Sequence, residues 1–147
     1  SFANAAAAYD RLPEDIKNEV DGLFAIHDFT QTFGRRMSVE EQAEQHKKYP
    51  PARHPVIRTH PETGERSIYT NQPFVSHIEG TSPERSQEIL RILRQAMLNP
   101  SIQCRVQWEV DTIVMWDNRV VQHQASNDFY PQTRHVERVT IIGDKPF

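Results

Sequence analysis

The sequence predicts an α+β fold in which helices flank part of an antiparallel jelly roll. Residues 102–109 alternate between apolar and polar side chains, the pattern of a half-buried antiparallel strand. Ser82 and Pro83 begin an amphipathic helix that ends before Asn99-Pro100. Residues 133–142 are rich in β-branched side chains and predict a closing strand.

The first half of the chain adds helices and a hairpin. Alanine-rich residues 5–12 predict one helix, and Pro13 begins a second with apolar residues at helical spacing up to Phe24. Residues 30–37 are predicted to form a loop. Ser38 and Glu41 have the spacing of a capping box, which predicts a polar helix to about residue 49. Residues 54–60 and 67–71 then predict two strands joined by a turn through residues 61–64.

The composition is that of one globular domain. The chain has 147 residues, of which 37% are hydrophobic and 25% charged, and no apolar run is long enough to span a membrane. A net charge of −3 with dispersed basic residues argues against nucleic acid as a partner. The single cysteine, Cys104, excludes an internal disulfide and suggests a reducing compartment such as the cytoplasm. Its place in the alternating strand predicts a small core residue.

The main candidate site lies in residues 112–123. Residues 112–115 predict a short buried strand, Asp117 and Asn118 predict a turn, and His123 follows it. On the predicted closing strand, Arg134 and Arg138 share one face about 13 Å apart. One imidazole and two permanent cations suggest a metal site with two anion anchors.

Simpler explanations exist for the same residues. A lone histidine after a turn is often only solvated or hydrogen-bonded, and the two arginines could pair with Glu137 or Asp128 on an exposed sheet face. A self-contained metal triad of His77, Glu79 and His123 is a further alternative, since His-x-Glu with a distant His can hold iron. His27-Asp28 is too closely spaced for the usual His-x-Asp pair and is interpreted as structural.

Two longer motifs resemble one known family. They are Trp-Asp-Asn-Arg-x-x-Gln-His at 116–123, followed by Arg134, Arg138 and Gly-Asp-Lys-Pro-Phe at 143–147, and His-Pro-Val-Ile-Arg-Thr-His-Pro-Glu-Thr-Gly at 54–64. His27-Asp28-Phe29 and residues 6–9 also fit in order. Together they resemble the TauD/TfdA family of Fe(II)- and 2-oxoglutarate-dependent oxygenases across essentially the whole chain. The resemblance implies a double-stranded β-helix (cupin-like jelly roll), with residues 1–147 as the C-terminal portion of one domain whose N-terminal part is missing.

The resemblance also implies roles for particular residues. His123 is the expected iron ligand, Arg134 the ligand of the 2-oxoglutarate carboxylate, and Arg138 the residue that binds the anionic group of the substrate. Phe33 and Phe74 are the expected aromatic walls of the substrate pocket. Thr133 and Glu137 depart from the Arg and His that the resemblance leads one to expect there, and a carboxylate or a sulfate would satisfy Arg138 as well as a sulfonate.

The expected activity is hydroxylation of a small anionic compound, most simply a sulfonate such as taurine, with Fe(II), 2-oxoglutarate and O₂ and with release of succinate and CO₂. The other two iron ligands are expected upstream of Ser1, so these residues alone are predicted to be inactive. No residue of the chain is predicted to be catalytic in its own right. The family suggests a homo-oligomer, and a non-catalytic jelly-roll module for binding or assembly is the alternative.

Overall fold

The structure is a computed structural model that describes residues 1–147. The helices are α1 Ala5–Asp10, α2 Glu14–Val20, α3 Thr30–Phe33, α4 Val39–Lys48 and α5 Pro83–Met97. Short 3₁₀ turns occupy Gly34–Arg36 and Pro100–Ile102. The strands are β1 Phe2–Asn4, β2 Phe24–His27, β3 Ala52–Pro55, β4 Ile57–Thr59, β5 Arg66–Ile68, β6 Val75–Ile78, β7 Gln103–Cys104 and β8 Val121–His123. No helix combines the length and apolar character needed to cross a membrane.

The strands form three small antiparallel sheets. Their orders are β7-β1-β8, β3-β2-β6 and β4-β5. In the first sheet Phe2 lies opposite both Cys104 and His123, so β1 is the central strand between β7 and β8. The α+β class is therefore confirmed, whereas three separate sheets do not by themselves form the predicted jelly roll.

The hydrophobic core lies between α1, α2, α5 and the inner faces of the sheets. Helix α5 contributes Ile89 and Leu93, which are fully buried because the apolar residues recur at helical spacing. They pack in one cluster with apolar residues of the strands, including Val56, Ile68 and Ile78. This core holds β4, β5 and β6 in place beneath the segments that carry the candidate site.

Several local predictions are confirmed. Ser38 and Glu41 form the capping box of α4, and Ser82 caps α5 by accepting the backbone N–H of Arg85. The predicted hairpin is confirmed in part: β4 and β5 pair, and the turn between them ends at Gly64, whose φ of +74° favours glycine, but residues 54–55 belong to β3, which pairs with β2, and β5 ends at Ile68.

The predicted loop at 30–37 is wrong, because α3 and a 3₁₀ turn occupy most of it. The Asp28 carboxylate accepts hydrogen bonds from the backbone N–H and the hydroxyl of Thr30, at 2.8 and 2.7 Å. Both bonds stabilise the first turn of α3, as a capping side chain does. The sequence interpretation treated Asp28 only as a neighbour of His27.

Three predicted strands are also absent or shortened. Residues 112–115 and 133–142 form no strand, and only Gln103–Cys104 remains of 102–109. Residues 133–142 make no backbone hydrogen bond, and a strand needs a paired neighbour to form. Cys104, predicted as a core residue, is exposed. Six apolar side chains are consequently at least 90% exposed: Val110, Ile113, Met115, Val139, Ile141 and Ile142.

Candidate metal and anion site

His123 ends β8, directly after the turn that begins at Asp117. Its strand is held by pairing with β1 and by the bond from the Gln124 backbone N–H to the Ser1 carbonyl, at 3.0 Å. The imidazole lies 4.9 Å from the Trp116 ring and 6.1 Å from the Phe2 ring, measured between ring centroids. The residue remains exposed, and these two aromatic rings cover part of its imidazole.

The environment of His123 favours the neutral imidazole. Partial burial lowers its pKa below the usual range, and the positive charges of Arg138 and of the chain's amino terminus lower it further. A neutral imidazole has a free lone pair, which is the form that binds metal ions.

The two arginines lie on the extended tail instead of on a strand. Arg134 and Arg138 are exposed and form no ion pair. The alternative pairing with acidic neighbours is not observed, because Asp128 pairs with Arg105 and Glu137 lies 3.6 Å from His135. Both guanidiniums are thus free to bind an anion, and the charge of Arg138 is one of those that lower the pKa of His123.

The chain does not contain a complete metal site. No group of three or more His, Cys, Asp or Glu side chains is placed to hold a metal ion. His77 lies on β6, in a different sheet from His123, and Glu79 is bound to Arg53. The proposed triad of His77, Glu79 and His123 is therefore not formed, and His123 fits only as one ligand of a larger set.

The predicted aromatic walls do meet. Phe33, 58% exposed, lies with its ring 6.0 Å from that of Phe74. Phe74 also lines a surface groove of about 360 Å³ whose other lining residues are His27, Phe29, Tyr49 and Pro50. Phe33 and Phe74 therefore form one aromatic surface by the β3-β2-β6 sheet, whereas His123 lies on the β7-β1-β8 sheet.

Sequence interpretation missed a polar cluster beneath this groove. His27 and His54 pack edge to face, with ring centroids 4.9 Å apart, and both contact the ring of Tyr69. The Nε2 atom of His27 and the Nδ1 atom of His54 are buried without a hydrogen-bond partner. Burial, and then the neighbouring His54, lower the pKa of His27 to about 4. His27 and His54 lie at diagonal positions of the paired strands β2 and β3, which share a face, and the register of that pairing has no signal in the sequence.

The turn before His123 is unusually well held. Arg119 donates to the Asp117 carboxylate through Nε and Nη2, and to Glu62 through Nη1 at 2.7 Å. The bonds from Arg119 to Asp117 hold the pKa of Asp117 well below its usual range, so the carboxylate stays ionised. His60, from the other long motif, is also bound to Asp117. The two motifs are therefore joined in space.

Solved structures identify the class to which this scaffold belongs. The crystal structure of a putative alpha-ketoglutarate-dependent 2,4-D dioxygenase from Burkholderia xenovorans superimposes with a TM-score of 0.73 and 31% sequence identity, covering 82% of this chain and 46% of that chain. The scaffold is thus similar to part of that putative dioxygenase.

The sequence gives the family. Residues 1–140 match the family described as "Taurine catabolism dioxygenase TauD, TfdA family", and the chain belongs to it. An alkylsulfatase of Acinetobacter baylyi is 36% identical over 151 residues, which covers 98% of this chain and 47% of the relative. An alpha-ketoglutarate-dependent sulfate ester dioxygenase of Pseudomonas putida is 35% identical, covering 99% of this chain and 50% of the relative. The chain spans about half the length of these relatives.

Proposed function

We propose that residues 1–147 are the C-terminal portion of an Fe(II)- and 2-oxoglutarate-dependent dioxygenase domain with a double-stranded β-helix core. The domain would oxidise a small anionic substrate. The supporting observation is His123, which ends a strand in a chain of this family and whose pKa is lowered by partial burial and then by the charge of Arg138. When bound, the iron and 2-oxoglutarate would supply the oxidative chemistry with O₂, while the protein binds and orients the substrate.

Each candidate residue then has a distinct task. His123 would provide one nitrogen ligand to the iron. Arg134 would bind the carboxylate of 2-oxoglutarate, because a guanidinium stays charged and offers two parallel donors. Arg138 would bind the anionic group of the substrate close to the metal, which agrees with the effect of its charge on the pKa of His123.

The substrate class follows from charge and from the relatives. The family description refers to taurine, a sulfonate, and the two relatives named above act on sulfate esters by their names. Sulfonates and sulfate esters both present three terminal oxygens that share one negative charge, which a free guanidinium such as that of Arg138 can bind. We therefore propose a sulfonate such as taurine or an alkyl sulfate; Phe33 and Phe74, which form one aromatic surface, are the proposed contacts for its apolar part.

The chain alone would not be active under this proposal. One imidazole cannot hold iron tightly, and the described residues offer no second and third ligand near it. The remaining ligands would come from polypeptide outside these 147 residues. The same observation favours the second candidate, a non-catalytic module that keeps the fold without a complete metal site.

Oxygen consumption by the complete polypeptide tests the proposal. The protein would be supplied with Fe(II), 2-oxoglutarate and a panel of taurine, an alkyl sulfate and an aryloxyacetate, with succinate as the second readout. We expect His123→Ala to abolish turnover, whereas His135→Ala, which removes an exposed histidine of the same tail, should leave it unchanged. Absence of succinate with every substrate and with 2-oxoglutarate alone would favour the non-catalytic module.

The two arginines can be separated in the same assay. Arg134→Ala should raise the KM for 2-oxoglutarate, because the cosubstrate loses a charged partner. Arg138→Ala should raise the KM for the anionic substrate and spare the slow turnover of 2-oxoglutarate without substrate. Arg91→Ala, on the exposed side of α5, is the matched control for removing one guanidinium. Equal damage to both substrates by either variant would contradict this division of tasks.

A further inference from the structure

The buried side chain of His60 connects two turns that are distant in sequence. Its side chain is only 5% exposed. Its Nδ1 atom accepts hydrogen bonds from the backbone N–H groups of Glu62 and Thr63, at 3.2 and 3.1 Å. Because both neighbours are donors, Nδ1 carries the lone pair and Nε2 carries the proton. That proton is donated to Oδ2 of Asp117 at 3.2 Å.

Asp117 transmits this contact to the turn before β8. Its Oδ1 atom accepts the backbone N–H of Arg119 at 2.8 Å, and its carbonyl accepts the backbone N–H of Val121 at 3.0 Å. Side chain and backbone of one residue therefore fix the turn. His60, acting on the same carboxylate, ties this turn to the β4–β5 hairpin.

Further hydrogen bonds, to β5 and to Thr70 after it, fix the register of β8. The Ser67 hydroxyl donates to the carbonyl of Arg119 at 3.2 Å. The Gln122 side chain donates to the carbonyls of Ile68 and Thr70, at 3.2 and 2.9 Å. Since successive side chains of a strand point to opposite faces, anchoring Gln122 toward β5 directs His123 to the other face. A one-residue slip would reverse this arrangement.

We propose that His60 is a positioning residue, which orients His123 through Asp117 and the turn that precedes β8. The inference rests on the proposed role of His123 as a metal ligand. It adds a residue, 63 positions away in sequence, that touches neither metal nor substrate. Its sole contribution is to keep one hydrogen-bonded geometry of the turn.

NMR of the histidine rings tests the positioning without any metal. In the complete polypeptide, His60→Leu and the nearly isosteric Asp117→Asn should both move the ring signals of His123, because the ring current of Trp116 acts on it at 4.9 Å. His60→Gln, which keeps a side-chain N–H for Asp117, should restore them towards the original position. Ile89→Val disturbs the core away from the turn and should leave them unchanged.

Affinity for Co(II), used as a probe for the iron, gives the second readout. We expect His60→Leu to weaken binding about tenfold, the lower end for residues that orient metal ligands, and His60→Gln to restore most of it. Ile89→Val, even with an equal loss of Tm, should keep the original affinity. Co(II) binding that does not depend on His123, tested with His123→Ala, would refute the proposed function, and the NMR signals would still decide the positioning. Unmoved His123 signals in both His60→Leu and Asp117→Asn would overturn the inference.

Discussion

Acidification should destabilise the fold through His27. Its ring is packed against His54 and Tyr69, and its Nε2 atom is buried without a partner. A proton added there would bring a charge that no neighbouring group compensates, which is why burial, followed by the charge of His54, lowers the pKa to about 4. In the unfolded chain the same ring titrates near its ordinary pKa of 6.5.

The sign and size follow from these two values. Between pH 6.5 and pH 4 the unfolded chain binds a proton that the folded protein does not, so the free energy of unfolding falls as the pH falls through this window. The full difference corresponds to about 3 kcal/mol. Because the ring borders a groove open to solvent, screening reduces this to about 2 kcal/mol. Below about pH 4 the contribution of His27 no longer changes.

Denaturant unfolding at a series of pH values measures this effect. Carboxylates also titrate at the acid end, so the informative quantity is the difference between variants. His27→Phe keeps a planar ring but cannot take up a proton. Between pH 7 and pH 4 the free energy of unfolding of this variant should therefore fall by about 2 kcal/mol less than that of the unsubstituted protein. His77→Asn, which removes an exposed histidine of the same sheet, should keep the original slope. Parallel pH profiles for His27→Phe and the unsubstituted protein would refute the reasoning.

Three further substitutions test the packing and the ion pairs. Leu93→Ala should reduce the free energy of unfolding by about 2–5 kcal/mol, because it opens a cavity in the core, as measured by denaturant titration. Asp144→Ala should cost about 2 kcal/mol by the same method, because the guanidinium of Arg58, only 5% exposed, loses its partner at 3.0 Å. Ser38→Ala should cost about 1 kcal/mol and reduce the helical circular dichroism of α4, since it removes the N-cap.

Each of these has a matched control. Arg91→Ala on the exposed side of α5, Asp10→Ala on the surface and Ser101→Ala, whose hydroxyl caps no helix, should each change the free energy of unfolding by less than about 0.5 kcal/mol. A core variant no worse than Arg91→Ala would mean that α5 does not carry the core. If Asp10→Ala lowers the free energy of unfolding as much as Asp144→Ala does, the ion pair with Arg58 is not the cause. If Ser38→Ala leaves the helical circular dichroism unchanged, Ser38 does not stabilise α4 as its N-cap.

Local signals in the sequence were sufficient for the elements that stabilise themselves. The capping residues Ser38 and Ser82 and the apolar stripe of α5 act within a few residues, and the β4–β5 hairpin closes over a short turn. Residues 133–142 have strand composition as well, but a strand depends on a partner, and none pairs with them here. Composition can indicate a strand without showing what it will pair with.

The candidate site likewise contains residues that local sequence predicts and contacts that only the fold determines. His123 after a turn could be predicted from its motif, and Asp117 and Asn118 do introduce a turn. The contact between His60 and Asp117 could not, because it joins residues 57 positions apart in the sequence through side chains with no periodic pattern. The pair of His27 and His54 likewise depends on the register of β2 and β3, which only the fold determines.

The exposed apolar residues between positions 110 and 142 have a practical consequence. Exposed segments that are rich in β-branched residues and have unpaired backbone N–H and C=O groups, as residues 133–142 do, tend to associate with identical segments of other molecules. Recombinant production of these 147 residues by themselves should therefore give inclusion bodies or soluble aggregates. Polypeptide that pairs with residues 133–142 would suppress that association, so solubility on co-expression offers a simple screen for a segment that pairs with them.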